Sequence, residues 1–233
     1  MSKIGVAVSV FLVAGVGVTA LDVAPARTSA LAAPAGPGVH AAGSVHLVVA
    51  PKNNEARYFV REQLAHISFP SDAVGVTDSV TGSFAIDDKG KLIPGESKFV
   101  VDLRGLKSDR SMRDGFIQRR TLETDKYPTV TLVPKALQGL PEPLPDSGRV
   151  SFTLLGDLTV RAVTKPTSWM VEAYVLHGEV EGTASTGFTF DDFQIEKPKV
   201  GSVLSVADSI HLVYDFDLVP ASGPSALPNK GER

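Results

Sequence analysis

Five histidines, His40, His46, His66, His177 and His211, are the first candidates for metal or acid–base chemistry, but no two stand at ligand spacing. His211 alternates onto the outer face of a strand pattern, where a solvated imidazole is the ordinary outcome. The adjacent carboxylates Asp191 and Asp192 have the chemistry to hold a cation, although Asp pairs at strand ends usually serve as turn or cap residues. The sequence has no G-x-S-x-G elbow, no H-E-x-x-H and no phosphate-cradling glycine loop, and nothing singles out one serine as a nucleophile. The charged feature with most shape is Arg110, Arg113, Arg119 and Arg120. Such a cluster suits an anionic head group or a membrane surface. It equally suits a solvated helix face balanced by Asp109, Asp114, Glu123 and Asp125. The residues therefore predict no catalytic group and no metal site.

Composition narrows the field further. The 233 residues are 43% hydrophobic, enough for a sizeable core, and carry a net charge of −3, which argues against a nucleic-acid surface. Cysteine is absent, so disulfides, thiolate metal sites and lipidated-cysteine anchors are excluded. After Lys3 an uncharged run from Ile4 to Leu21 is followed by small-residue sites, the pattern of a secretory signal peptide or, at this length, a retained anchor. Residues 1–32 are read as that segment, 33–43 as a flexible Ala/Pro/Gly spacer and 220–233 as a disordered tail. Ser44 to Val219 remains as one folded domain, with an extracytoplasmic location.

In that domain the period is two almost everywhere. Val150, Phe152, Leu154, Gly156, Leu158 and Val160 share one face, and Ser151, Thr153, Asp157 and Thr159 the other. Ile210, Leu212, Tyr214, Phe216 and Leu218 repeat the signal. Further runs are Val74–Ile86, Lys98–Leu103, Thr129–Val133, Ser168–Leu176 and Glu179–Phe190, with shorter ones at Val45–Val49 and Arg57–Arg61. Long alternating strands favour a closed all-β barrel over a sandwich. Asp87–Gly90 and Asp146–Gly148 carry turn signals, and Leu137–Gly148 reads as a surface loop. Ser108–Leu122 reads as a short helix capped by Ser108, irregular at Gly115.

Small residues fall at the inward positions Gly82, Gly156, Ala173, Gly182 and Ala184, among Phe84, Phe99, Phe152, Trp169, Phe188, Tyr214 and Phe216. Two arrangements fit. The small residues leave room for one ligand, or the aromatics complete a packed core with glycines marking bends. Periodicity does not decide between them.

Three stretches resemble the YceI-like family of bacterial polyisoprenoid-binding, lipocalin-like proteins: GDLTVRAVTKP at 156–166, RDGFIQRRTLETDKYPTVTL at 113–132, and FDDFQIEKPKV at 190–200 with the following strand. The sequence departs from the pattern where Phe116-Ile117 replaces a His-Leu pair, at Ala162 for a common Gly, and at Gln194 where a small residue is frequent. Glu62–Ala73 looks like an insertion. The resemblance implies an extended eight-stranded antiparallel barrel with a short helix near one opening and a long apolar channel. It implies an exported, non-catalytic carrier of an isoprenoid or other amphiphilic lipid, a monomer or homodimer near a membrane, with no cofactor beyond that lipid. The alternatives are a structural or surface-interaction barrel with a filled interior and a lipid-processing enzyme with a polar cluster facing the channel. The channel lining would be Phe84, Phe99, Val101, Phe116, Phe152, Leu154, Gly156, Leu158, Trp169, Val171, Ala173, Phe188, Leu212, Tyr214 and Phe216. Head-group contacts would fall to Arg113, Arg119 and Arg120.

Overall fold

The computed structural model describes residues 43–66, 68–199 and 201–221. The signal or anchor segment, nearly all of the spacer, His40 and residues 222–233 lie outside the described residues. Eleven strands follow in chain order: β1 (Val45–Val49), β2 (Glu55–Leu64), β3 (Ser71–Thr77), β4 (Val80–Ile86), β5 (Lys98–Asp102), β6 (Lys107–Ser108), β7 (Thr129–Gln138), β8 (Ser147–Val160), β9 (Val163–Leu176), β10 (Glu179–Thr189) and β11 (Val203–Pro220). All pairings are antiparallel, and β11 returns to pair with both β1 and β2.

These strands occupy eight positions of one closed barrel. β1 and β2 lie end to end against the same edge of β11, and β4 and β3 pair with β1 and β2 respectively. β5 and β6 then pair with β4 and β3. Three successive positions are thus broken strands, and β7 to β11 fill the remaining five. Each position neighbours the next in sequence, the up-and-down arrangement that leaves no free edge.

The breaks explain where the sequence pattern misled. Val74–Ile86 is not one strand: Ala73, Gly75 and Thr77 are buried in β3, Val80, Phe84 and Ile86 in β4, and Asp78 and Ser79 between them are exposed. The inward set changes parity across the break, which a single alternating run does not allow. Glu62–Ala73 is not wholly an insertion either, because Glu62, in β2, pairs with Ser71 at the start of β3. Ser147 and Gly148 already pair with Leu176 and Val175, so they belong to a strand, not a turn. β11 continues through Pro220, opposite Leu47, and the Ala221 N–H donates to the His46 carbonyl at 2.8 Å. The ordered barrel therefore runs past the Val219 boundary. Pro220 is tolerated there because the last ladder position demands no further donor.

The β8 register is as the alternation predicts: Val150, Leu154, Leu158 and Val160 are buried, and Ser151 is exposed. The helix differs from expectation. α1 spans Ser111–Phe116 and continues as a π-helical turn over Ile117–Thr121. Ser108 is not its cap. It is held in β6, where its N–H donates to Asp114 Oδ1 at 2.8 Å, and extended Arg110 precedes the helix. α1 lies at the end of the barrel shared by the β2–β3 loop, the β8–β9 turn and the start of β11. The other end holds the β4–β5, β7–β8 and β9–β10 connections.

Candidate functional site

Inside the ring is a cavity of about 1330 Å³, larger than the roughly 300–1,000 Å³ of drug-sized pockets. It reaches from Arg113, Phe116 and Ile117 beneath the helix to Leu140, Leu144 and Asp146 in the β7–β8 loop. β8 supplies Phe152, Leu154 and Leu158 to the wall; β9 supplies Trp169, Val171 and Ala173. Phe84, Phe99, Val101, Phe116, Phe188, Leu212, Tyr214 and Phe216 stand on it as well.

Gly156 does not. A Cβ there would lie 2.9 Å from Leu132 Cδ1 and 3.0 Å from the Val133 carbonyl oxygen. At Gly82 the Lys98 carbonyl oxygen would be 2.4 Å away, and at Gly182 the Glu172 carbonyl oxygen 2.3 Å. These glycines let neighbouring strands approach and do not open the lumen. Space comes from the circumference of the ring. Both sequence-level arrangements are therefore partly realised. Phe99 meets Tyr214 edge-on at 6.1 Å and Tyr214 meets Phe216 at 5.8 Å, yet the cavity persists beside them.

Charge stands at the ends: Glu62 and Arg113 at the helix end, Asp87, Asp88 and Asp146 at the other. Glu62 faces inward at the end of β2, buried, and pairs with Arg113 of α1, whose side chain is 13% exposed. Arg113 also pairs with Asp109. Tyr58, four residues before Glu62 on the same wall, is held protonated well above the ordinary phenol range, first by burial. Thr121 lines the same region, and its buried hydroxyl has no hydrogen-bond partner among the described residues. In the wall, where β1 gives way to β2 beside β11, Tyr214 donates to buried Asn54 Oδ1 at 2.8 Å.

The arginine cluster is divided between these environments. Arg113 stands on the cavity wall with its charge already matched by Glu62 and Asp109. Arg119 and Arg120 do not reach the cavity; both are exposed, on the outer side of the helix. The carboxylates set against them in the sequence are engaged elsewhere: Asp114 with Ser108 and Glu123 with Arg161.

The other candidates resolve as structural groups. Asp192 Oδ2 accepts the Thr189 N–H at 2.7 Å and its hydroxyl at 2.8 Å, closing the turn that starts the 3₁₀ segment Asp191–Phe193. That backbone donation, then the hydroxyl, holds the carboxyl below its usual range. His211 packs beside Phe59, 6.5 Å between ring centres. His46 lies between Ser44 and Glu96, and His177 occupies a positive-φ turn. Among the described residues no three His, Asp or Glu side chains converge on a metal site. Sequence reasoning missed Tyr58, Glu62 and Asn54, the buried polar groups of the interior. Alternation places Glu62 on the same face as Tyr58 and Val60, but the strand pattern is read only to Arg61 and Glu62 falls in the stretch that reads as an insertion.

A YceI-like domain model matches residues 48–218. No curated protein sequence matches the chain. Solved structures are similar in fold. A polyisoprenoid-binding domain from Saccharophagus degradans, implicated in plant cell wall breakdown, is 11% identical with a TM-score of 0.58, over 76% of this chain and 99% of that one. The YCEI protein of Campylobacter jejuni is 15% identical with a TM-score of 0.53, over 69% and 91%. Burkholderia cenocepacia BcnA is 13% identical with a TM-score of 0.51, over 70% and 95%. The closed eight-position barrel, its capping helix and the match across almost its whole length place the chain in the YceI-like domain family.

Proposed function

We propose that the protein binds and carries a long apolar chain with a small polar head, of the isoprenoid class, and performs no chemistry on it. The observation that carries this reading is a lumen of about 1330 Å³ whose middle is walled mainly by Phe, Leu, Val and Trp side chains, with Glu62 and Arg113 at one end and Asp87, Asp88 and Asp146 at the other. Aliphatic contacts are non-directional, so such a wall retains a chain without aligning a reactive bond. The Saccharophagus degradans neighbour is a polyisoprenoid-binding domain, which supports the same ligand class here. The uncharged run after Lys3 supports export, so the carrier would act outside the cytoplasm.

Trp169 makes the test direct. It is the chain's single tryptophan, is 5% exposed, and stands on the cavity wall with its Nε1–H donated to Thr167 Oγ1 at 2.9 Å. Protein purified from its native host should yield a stoichiometric isoprenoid-type lipid on organic extraction and mass spectrometry. After delipidation, an isoprenoid alcohol brominated along its chain should quench Trp169 fluorescence saturably. Clean extracts together with unquenched fluorescence would refute the carrier reading. A cytoplasm-only reporter fused after Arg233 and active in the host would refute export.

A further inference from the structure

Six large apolar side chains are strongly exposed among the described residues, and three of them, Phe69, Met112 and Leu204, surround one mouth of the barrel at 78%, 87% and 68% exposure. Scattered single residues of this kind are ordinary, but a cluster marks a contact surface. Backbone pairing and an ion pair join the three. Leu204 lies between Val203 and Ser205, which pair with Leu64 and Gln63 at the end of β2. The Ala65 N–H donates to the Ser202 carbonyl at 3.0 Å, so the loop carrying Phe69 leaves directly beside Leu204. Arg113, next to Met112, pairs with Glu62, which sits opposite Ser71 where that loop re-enters the sheet.

The outer side of the helix adds charge to this rim. Met112, Gly115 and Arg119 fall on one face, and a Cβ at Gly115 would lie 2.9 Å from the Arg119 guanidinium. Arg119 and Arg120 are exposed and have no carboxylate partner among the described residues. Apolar side chains interleaved with unpaired arginines around an opening match the interface of an anionic bilayer: the former enter the acyl boundary and the latter meet phosphates. The opening leads to the apolar lumen, because Met112 itself lines the cavity. We propose that this rim docks on an anionic lipid bilayer, so that a chain-bearing lipid passes between membrane and lumen without crossing water. The proposal goes beyond the carrier reading, which concerns the lumen alone.

The absence of cysteine allows a single label at will. Full-length chains carrying Met112→Cys, Leu204→Cys or, at the opposite end, Glu179→Cys would each bear an environment-sensitive fluorophore. They would be mixed with phosphatidylcholine vesicles, with and without phosphatidylglycerol, containing acyl-brominated lipid. The labels at 112 and 204 should be quenched on anionic vesicles and the label at 179 should not. Adding Arg119→Gln with Arg120→Gln should weaken that response about 30-fold, as loss of two surface cations implies. Rim labels that stay in water while the chain sediments with vesicles would mean that another segment holds the membrane, and would overturn the proposal. So would quenching indifferent to lipid charge. Rim labels that become buried with rising protein concentration, vesicles absent, would make the rim an interface between copies and overturn it likewise. None of these readouts needs a lipid in the lumen, so they stand apart from the extraction result.

Discussion

Ala173→Trp separates a hollow barrel from a filled one. Ala173 is 5% exposed, lies on the cavity wall, and pairs with Val150 on β8 and Gly182 on β10. The wall is long: β8 and β9 each have 14 residues, about 46 Å of strand at ~3.3 Å per residue. Tilted by about 40°, they extend roughly 35 Å along the barrel axis. An indole at Ala173 would occupy one stretch of that path. It would bury roughly 200 Å² of apolar surface that a ligand chain otherwise covers. At ~25 cal/mol/Å² this is about 5 kcal/mol of lost ligand contact, or about a thousand- to ten-thousand-fold in affinity.

Stability should move the other way from a packed core. Overpacking a filled interior costs about 1–3 kcal/mol or more, which at ~2–4 °C per kcal/mol lowers Tm visibly. An indole entering a lumen should leave Tm within a few degrees. Titration of Trp169 quenching is unsuited to a variant with a second tryptophan, so binding would be followed by calorimetry with an isoprenoid alcohol. Thermal unfolding would be measured on the same sample, and Ser151→Ala, on the exposed face, would serve as control. A folded variant that binds within about threefold of the parent would show that no chain passes Ala173. A collapsed Tm would show that the wall has no room there.

Three further substitutions test the walls and ends. Glu62→Ala leaves Arg113 with only the exposed Asp109, so it should cost about 2–4 kcal/mol in denaturant unfolding, whereas Glu62→Met with Arg113→Met should recover most of that loss. Gly182→Ala should destabilise by about 1–3 kcal/mol, because its Cβ meets the Glu172 carbonyl and Ala173 Cα; Gly187→Ala, with neighbours no nearer than 3.6 Å, should be nearly neutral by the same measurement. Asn54→Ala removes the acceptor of the Tyr214 hydroxyl and the Asp217 N–H, and should lower stability by about 2–4 kcal/mol in chemical denaturation.

The inward rows of β8 and β11 were legible in the sequence because each strand is long, unbroken and wet on one side. The first three barrel positions were not legible to the same degree. β3 turns odd-numbered Ala73 and Thr77 to the lumen and β4 even-numbered Val80, Phe84 and Ile86, so a pattern read through Asp78-Ser79 joins two strands of opposite parity. Ser108 offered plausible cap chemistry, but tertiary pairing with Gly75 kept it in a strand. Gly156 showed alternation without purpose, since the sequence places it inward but only the Val133 carbonyl and Leu132 reveal that it relieves a close approach. The departure at Gln194 has a backbone meaning: its φ of 53° is the left-handed conformation that a small residue adopts more easily. Arg119 and Arg120 were assigned to the head group because a helix over a mouth has two sides, and their sequence spacing does not say which side is inner.

The broken positions also account for how a wall can enclose so much space. The breaks fall beside one another: Ala56 pairs with Thr77, the Thr77 hydroxyl donates to the Asp102 carbonyl, and the Asp102 N–H donates to the Ser79 carbonyl. Along this belt the ladder slips and its backbone groups need other partners. Buried Asn54 takes three of them, donating to the Ala50 and Lys52 carbonyls while accepting from Asp217 N–H, and Thr77 takes another. Nearby, buried Ser97 accepts the Ala85 N–H at 2.9 Å. These polar side chains hold the ring closed where strand pairing alone does not, so stability rests on the wall and its seals more than on filling the centre. A substitution at Asn54 or Thr77 would remove the partners of these backbone groups and open the wall. On the carrier function proposed above, a change in the lumen's side chains would alter which chain is accepted while the ring stays closed.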